Sequence, residues 1–145
     1  MHYRPRTLES EIQRAARHFP ALLLTGPRRS GKTTLLRHLF PHAHYVLLEE
    51  ADVVARVRAD ARSFLDRIRP PVILDEIQNV PELLSYVRSR SDAQPERKGQ
   101  WLITGSQEAS LMRGVSESMA GRAAVFSLLP FSSEEARELS LLTGG

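Results

Sequence analysis

Ala21-Leu22-Leu23-Leu24-Thr25-Gly26-Pro27-Arg28-Arg29-Ser30-Gly31-Lys32-Thr33-Thr34-Leu35 is the stretch on which the reading of the chain turns. Its apolar opening run, ended by a glycine, predicts a short strand buried on both faces. Gly26 to Thr33 follow the spacing Gly-x-x-x-x-Gly-Lys-Thr, the Walker A pattern. From Ser30 to Phe40, Leu35, Leu36 and Leu39 fall on one side of a predicted helix that Pro41 ends. Strand, glycine-rich turn and helix is the setting in which this pattern has a physical meaning. The glycines let the backbone wrap an oxyanion, successive N–H groups point inward, and the helix N-terminus adds its positive dipole end.

Each residue type in the loop has a chemical use. Lys32 can reach the β- and γ-phosphates of a nucleotide, and the Thr33 hydroxyl can ligand Mg²⁺. The candidate nucleotide contacts are Gly26, Pro27, Arg28, Arg29, Ser30, Gly31, Lys32, Thr33 and Thr34. Arg28 and Arg29 stand at the loop apex, where side chains turn either to phosphate or to solvent.

Outward from the loop the pattern repeats. Thr7 to His18 carries Leu8, Ile12, Ala15 and Ala16 at helical spacing, before Pro20. Tyr45-Val46-Leu47-Leu48 predicts a second buried strand, then helix from Ala51 to Ile68 with a break near Ala59-Asp60. Val72-Ile73-Leu74 predicts a third strand, and Pro81 opens a further helix with Leu83, Leu84 and Val87 inward. Ser91 to Gly99 is polar and reads as a loop. Trp101-Leu102-Ile103 and Ala124-Val125-Phe126-Ser127-Leu128 predict strands four and five. Short apolar strands separated by helices specify an α/β fold with a parallel sheet covered on both faces. Ser132 with Glu135 forms a capping-box pair that predicts a last helix toward Leu142.

The third strand ends in Asp75-Glu76, the Walker B arrangement. An aspartate at that tip can hold Mg²⁺, so Thr33 and Asp75 are the candidate metal residues. Glu76 can polarise a water for attack on the γ-phosphate, a role small-molecule kinases do not place there. Thr104 and Ser106, at the end of the fourth strand, are candidates to orient that water or sense the phosphate; Ser106 alternatively caps the next helix. Arg122, before the fifth strand, is a candidate to act on a neighbouring subunit's nucleotide, with Arg113 behind it; pairing with a local carboxylate such as Glu117 is the plainer alternative. Lys32, Glu76, Thr104, Ser106 and Arg122 thus form the candidate catalytic set.

Composition narrows the classes. The 145 residues contain no cysteine, which excludes disulfides and thiolate metal sites, and no apolar run approaches the ~20 residues that cross a bilayer. A cytoplasmic location and no membrane partner are expected. The net charge of +3 is spread among acids from Arg4 to Arg137, a solvated surface rather than a stripe for nucleic acid. His42 and His44 read as a solvated turn, not ligands.

These residues resemble the N-terminal ATPase domain of a group of prokaryotic AAA+-like proteins, over about Thr7 to Leu139. The carrying stretches are Leu24 to Leu35, Ile73-Leu74-Asp75-Glu76-Ile77-Gln78, Leu102-Ile103-Thr104-Gly105-Ser106, Met119-Ala120-Gly121-Arg122 and Leu129-Pro130-Phe131-Ser132. The resemblance implies a three-layer P-loop NTPase with sheet order 5-1-4-3-2, Mg²⁺ with ATP as the ligand, and self-association through Arg122. It also implies a C-terminal domain beyond this segment. The expected division is a flanking helix over residues 1–20, an ATPase core over 21–130 and the start of a further helix over 131–145. The expected function is ATP hydrolysis coupled to conformational change in a larger protein. A nucleotide-operated regulatory or interaction module is the alternative, and a DNA-handling motor the third. Base contacts are expected from Arg4 to Leu8.

Overall fold

A computed structural model describes residues 5–27 and 30–128. In chain order the elements are α1 (Pro5–His18), β1 (Ala21–Thr25), α2 (Lys32–Leu39), β2 (His44–Leu47), α3 (Ala51–Ala59), α4 (Ala61–Asp66), β3 (Val72–Asp75), α5 (Leu83–Ala93), β4 (Trp101–Gly105), α6 (Ala109–Met119) and β5 (Ala123–Ser127). A single 3-10 turn, Ile77–Asn79, joins β3 to the segment before α5.

All five strands are parallel and lie in the order β2-β3-β4-β1-β5, which is the expected 5-1-4-3-2 read from the other edge. Alternation along each strand divides the apolar residues between two cores. On one face Ala21, Leu23, Val72, Leu74, Trp101 and Ile103 pack with residues of α3 to α6. On the other, Leu22, Leu24, Ile73 and Leu102 pack with Leu8 and Ile12 of α1 and Leu36 of α2. Each fully buried Leu or Ile contributes about 1.5–3 kcal/mol, so the three central strands are the stable heart of the domain. Among the described residues no helix is long and apolar enough to cross a membrane.

Several local expectations change in three dimensions. β2 and β5 are edge strands: His44 and Tyr45 are exposed, as is Val125 at 44%. An apolar run does not show whether a strand has one neighbour or two. The break near Ala59-Asp60 is sharp because Asp60 accepts a hydrogen bond from the Ser63 amide and starts α4. α5 continues through part of the expected loop to Ala93, because Ser91 lies on its buried face. α6 begins after Glu108, so Ser106 is not its cap. The expected helix from Ser132 and the stretch Leu129–Ser132 lie outside the described residues, as do Arg28, Arg29 and Arg4.

Candidate functional site

In a parallel sheet every strand delivers its C-terminal end to the same rim. The register sets Thr25 beside Gly105 on one side and Ser127 on the other, and sets Leu47 beside Asp75. The loop after β1 therefore shares a rim with the acidic end of β3 and the polar end of β4, three segments distant in sequence.

Among the described residues, the loop is built by close packing and a left-handed glycine. Gly31 has φ +93°, a conformation that favours glycine, immediately before α2. At Gly26 a Cβ would meet the Leu128 carbonyl oxygen at 2.5 Å, so the backbone after β5 occupies the side-chain position. The Gly26 amide donates to the Gly105 carbonyl (3.2 Å) and the Leu128 amide to the Thr25 carbonyl (2.8 Å), which tie the loop base to both flanking strands. Lys32 is buried at 4% exposure, with Nζ donating to the carbonyls of Gly26 (2.9 Å) and Pro27 (3.1 Å). Ser30 is also buried, and its hydroxyl has no partner among the described residues. Thr34 is exposed on the first turn of α2.

Asp75 is the centre of the constellation. It is 3% exposed, and three hydroxyls donate to its carboxylate. Oδ1 accepts from Thr33 Oγ1 at 2.8 Å and from Thr104 Oγ1 at 2.5 Å; Oδ2 accepts from the Tyr45 hydroxyl at 2.5 Å. Loss of solvent around the hydroxyl of this otherwise exposed residue, and then the Asp75 carboxylate, push the Tyr45 hydroxyl well above the ordinary tyrosine range, because both oppose a negative charge there.

Glu76 follows in the left-handed region, at φ 68° and ψ 58°. A non-glycine residue held there costs about 1–3 kcal/mol and persists only where its surroundings over-determine it. The restraints are visible. Its amide donates to Thr104 Oγ1 at 2.9 Å, and its Oε1 accepts from Gln78 Nε2 at 2.9 Å. Thr104 is wholly buried and uses its hydroxyl on both acidic residues, donating to Asp75 and accepting from Glu76. Ser106 is partly exposed, and its Oγ is shielded with no partner among the described residues.

Arg122 is elsewhere. Its carbonyl accepts from the Ala21 amide at the start of β1, the sheet end opposite the phosphate loop. Its guanidinium grips Asp92 with both arms, Nε to Oδ1 at 2.7 Å and Nη2 to Oδ2 at 3.1 Å. The local carboxylate is thus Asp92 of α5 rather than Glu117. Arg113 lies exposed on α6.

The donor set fits a hydrated magnesium ion. Mg²⁺ prefers hard oxygen ligands and is held by one or two protein oxygens together with phosphates and water. Thr33 Oγ1 and Asp75 Oδ1 supply such a pair, and no group of His, Cys, Asp and Glu among the described residues forms an all-protein cage.

A family profile described as an AAA domain matches residues 18–137, most of the chain. The chain belongs to this AAA domain family. Its fold is that of the P-loop NTPases. Two curated proteins, described as uncharacterized, from Mycobacterium bovis and Mycobacterium tuberculosis are each 35% identical to the AAA domain over 118 residues. The matched region is 81% of this chain and 26% of theirs, so it spans about a quarter of those proteins. Among solved structures, a Walker-type ATPase of Pyrococcus abyssi superposes with TM-score 0.58 at 18% identity, covering 99% of this chain and 58% of that one. The DnaC helicase loader superposes with TM-score 0.56 at 15% identity, covering 87% and 93%. At those identities the likeness is one of fold.

Three residues at the rim carry contacts that sequence reasoning assigned no role. Tyr45 reaches Asp75 from the edge strand. Gln78 links Glu76 to the Ser106 amide, its Oε1 accepting at 3.1 Å. Gln107 donates to Ser127 Oγ at 3.2 Å, next to Thr25. Gln78 lay in one of the stretches that carry the family resemblance, and Tyr45 in a predicted strand, but neither signal pointed to these contacts.

Proposed function

We propose that the domain binds Mg²⁺-ATP and hydrolyses it. The observation that carries this reading is the convergence of Thr33 and Thr104 on one oxygen of Asp75, with Glu76 next in the chain and Lys32 buried in the loop. Lys32 and the loop amides bind the phosphates, and Lys32 exchanges its carbonyl partners for phosphate oxygens. Thr33 and Asp75 hold the metal. Bound Mg²⁺ supplies neutralisation of the charge that develops on the phosphate oxygens. Glu76 orients the attacking water and accepts its proton, and Ser106 Oγ is the group available to contact that water or the phosphate. Thr104 acts on this site by orienting Asp75 and Glu76.

The match to a quarter of longer relatives supports a further step, in which turnover changes the conformation of a larger protein. A cytoplasmic location belongs with this reading. Arg122 is proposed to act on a second copy's nucleotide, for which its exposed pair with Asp92 must open.

Mg²⁺-ATP affinity and turnover of the wild type and of Glu76→Gln test the proposal together. Equal affinity with turnover lost in the variant is the expected result. Equal affinity with no turnover in either would overturn hydrolysis and leave a nucleotide-operated interaction module.

A further inference from the structure

We infer that Gln78 is a positioning residue for Glu76, coupling that carboxylate to the turn between β4 and α6; the inference rests on the hydrolytic reading of the site above.

The side-chain amide of Gln78 is used at both ends. Nε2 donates to Glu76 Oε1 at 2.9 Å, and Oε1 accepts from the Ser106 amide at 3.1 Å. Its orientation is determined by chemistry: reversing the amide would set oxygen against the Glu76 carboxylate and N–H against the Ser106 N–H. The bridge joins the residue read as the base to the first residue beyond β4, which carries the unpartnered hydroxyl.

Packing makes the bridge stiff. Ile77, between Glu76 and Gln78 in the chain, is fully buried. Gly105 leaves no room beside it: a Cβ there would lie 2.9 Å from Ile77 Cγ2, 2.8 Å from Leu111 Cδ2 and 3.6 Å from Gln78 Oε1. The left-handed backbone at Glu76 turns the chain so that residues 76 and 78 bring their side chains together. A displacement of the Ser106 turn is therefore passed to the Glu76 carboxylate through one planar amide, while Thr104 holds the Glu76 backbone in place. Thr104 positions the main chain of the base, and Gln78 positions its carboxylate. Gln78 itself touches neither phosphate loop nor Asp75 in any hydrogen bond among the described residues.

Two measurements on the 145-residue chain test this. The first needs no turnover: exchange of the Ser106 amide with water, followed by NMR. Gln78→Leu should accelerate it about tenfold or more by removing the acceptor, whereas Gln78→Glu, which keeps an acceptor oxygen, should retain protection. Glu76→Ala should accelerate exchange at Ser106 in the wild-type background and add nothing in Gln78→Leu. The second is single-turnover hydrolysis. Both Gln78 variants should lower the rate by about 10- to 100-fold, as misplacement of a catalytic group does, with Mg²⁺-ATP affinity within about twofold of wild type.

A brace with a purely structural role predicts instead that Gln78→Glu, still bonded to Ser106, hydrolyses at the wild-type rate. That result, or a Ser106 amide indifferent to Gln78→Leu, overturns the inference. If the wild type shows no turnover, the hydrolytic reading fails, and the exchange data alone decide whether Glu76 and Ser106 are coupled.

Discussion

The Tyr45 hydroxyl donates to Asp75 Oδ2 at 2.5 Å, and Arg37 of α2 stacks on the same ring with its guanidinium carbon 4.6 Å from the centroid. The helix that follows the phosphate loop thus helps set the orientation of the acidic residue two strands away from β1. Asp75 is restrained on both oxygens.

Tyr45→Phe removes one charge-assisted hydrogen bond, an interaction worth about 1.5–3 kcal/mol. The expected result is about a tenfold loss of the Mg²⁺-dependent gain in nucleotide affinity, with affinity in EDTA unchanged. Isothermal titration in the two buffers measures it; an equal loss in both would assign Tyr45 to general stability.

The same tyrosine makes an alkaline prediction. Its folded pKa is raised above the unfolded value of about 10, so its contribution to stability is fully present below that pH. That contribution is lost as pH rises toward the folded value. The Tm difference between wild type and Tyr45→Phe should be constant from pH 7 to about 10 and shrink above it. A difference that grows with pH would contradict the direction of the shift.

Asp75→Asn should separate fold from metal use. Asparagine keeps an oxygen that can accept from Thr33 and Thr104, and its amide can donate to the Tyr45 oxygen. Circular dichroism melting should move by only a few degrees, while magnesium no longer improves nucleotide affinity. A variant that still responds to magnesium would remove Asp75 from the proposed metal site.

The two loop-facing glycines should differ in tolerance. In Gly26→Ala the new Cβ meets a backbone oxygen at 2.5 Å, that of Leu128, whose own amide is tied to the Thr25 carbonyl. In Gly105→Ala it meets side-chain methyls, Leu111 Cδ2 and Ile77 Cγ2, of which the Leu111 methyl lies at the end of its side chain and can turn. Overpacking typically costs about 1–3 kcal/mol. Urea unfolding should place Gly26→Ala at or beyond the upper end and Gly105→Ala nearer the lower; the reverse order would argue that the Leu128 segment yields.

Arg122 holds the Asp92 carboxyl below its usual range, first by hydrogen bonding directly to it. A lowered folded pKa contributes stability that is present above the unfolded value near 4 and lost as pH falls through the folded one. Arg122→Ala should therefore lower Tm slightly at pH 7 and not at all near pH 2. The effect should also fade in 1 M salt, because the pair is exposed. Persistence in both conditions would mean that the side chain acts through packing.

The sequence by itself determined the elements and the two ends of the site. Glycine spacing, strand-length apolar runs and proline stops are local signals, so Gly26 to Thr33, Asp75 and Glu76 could be assigned from the chain alone, and the parallel sheet order followed from the resemblance. Tertiary structure decided what those groups touch. Tyr45 reads as an apolar strand residue until β2 is known to lie beside β3, where its hydroxyl reaches Asp75. Thr104 reads as facing the phosphate until the register sets it beside the acidic pair. The left-handed turn at Glu76 has no signal in a glutamate, because it is imposed by Thr104, Gln78 and the buried Ile77 rather than by local preference. Hydrogen bonds between strands depend on which neighbours the sheet brings together, and one strand's sequence does not contain that information.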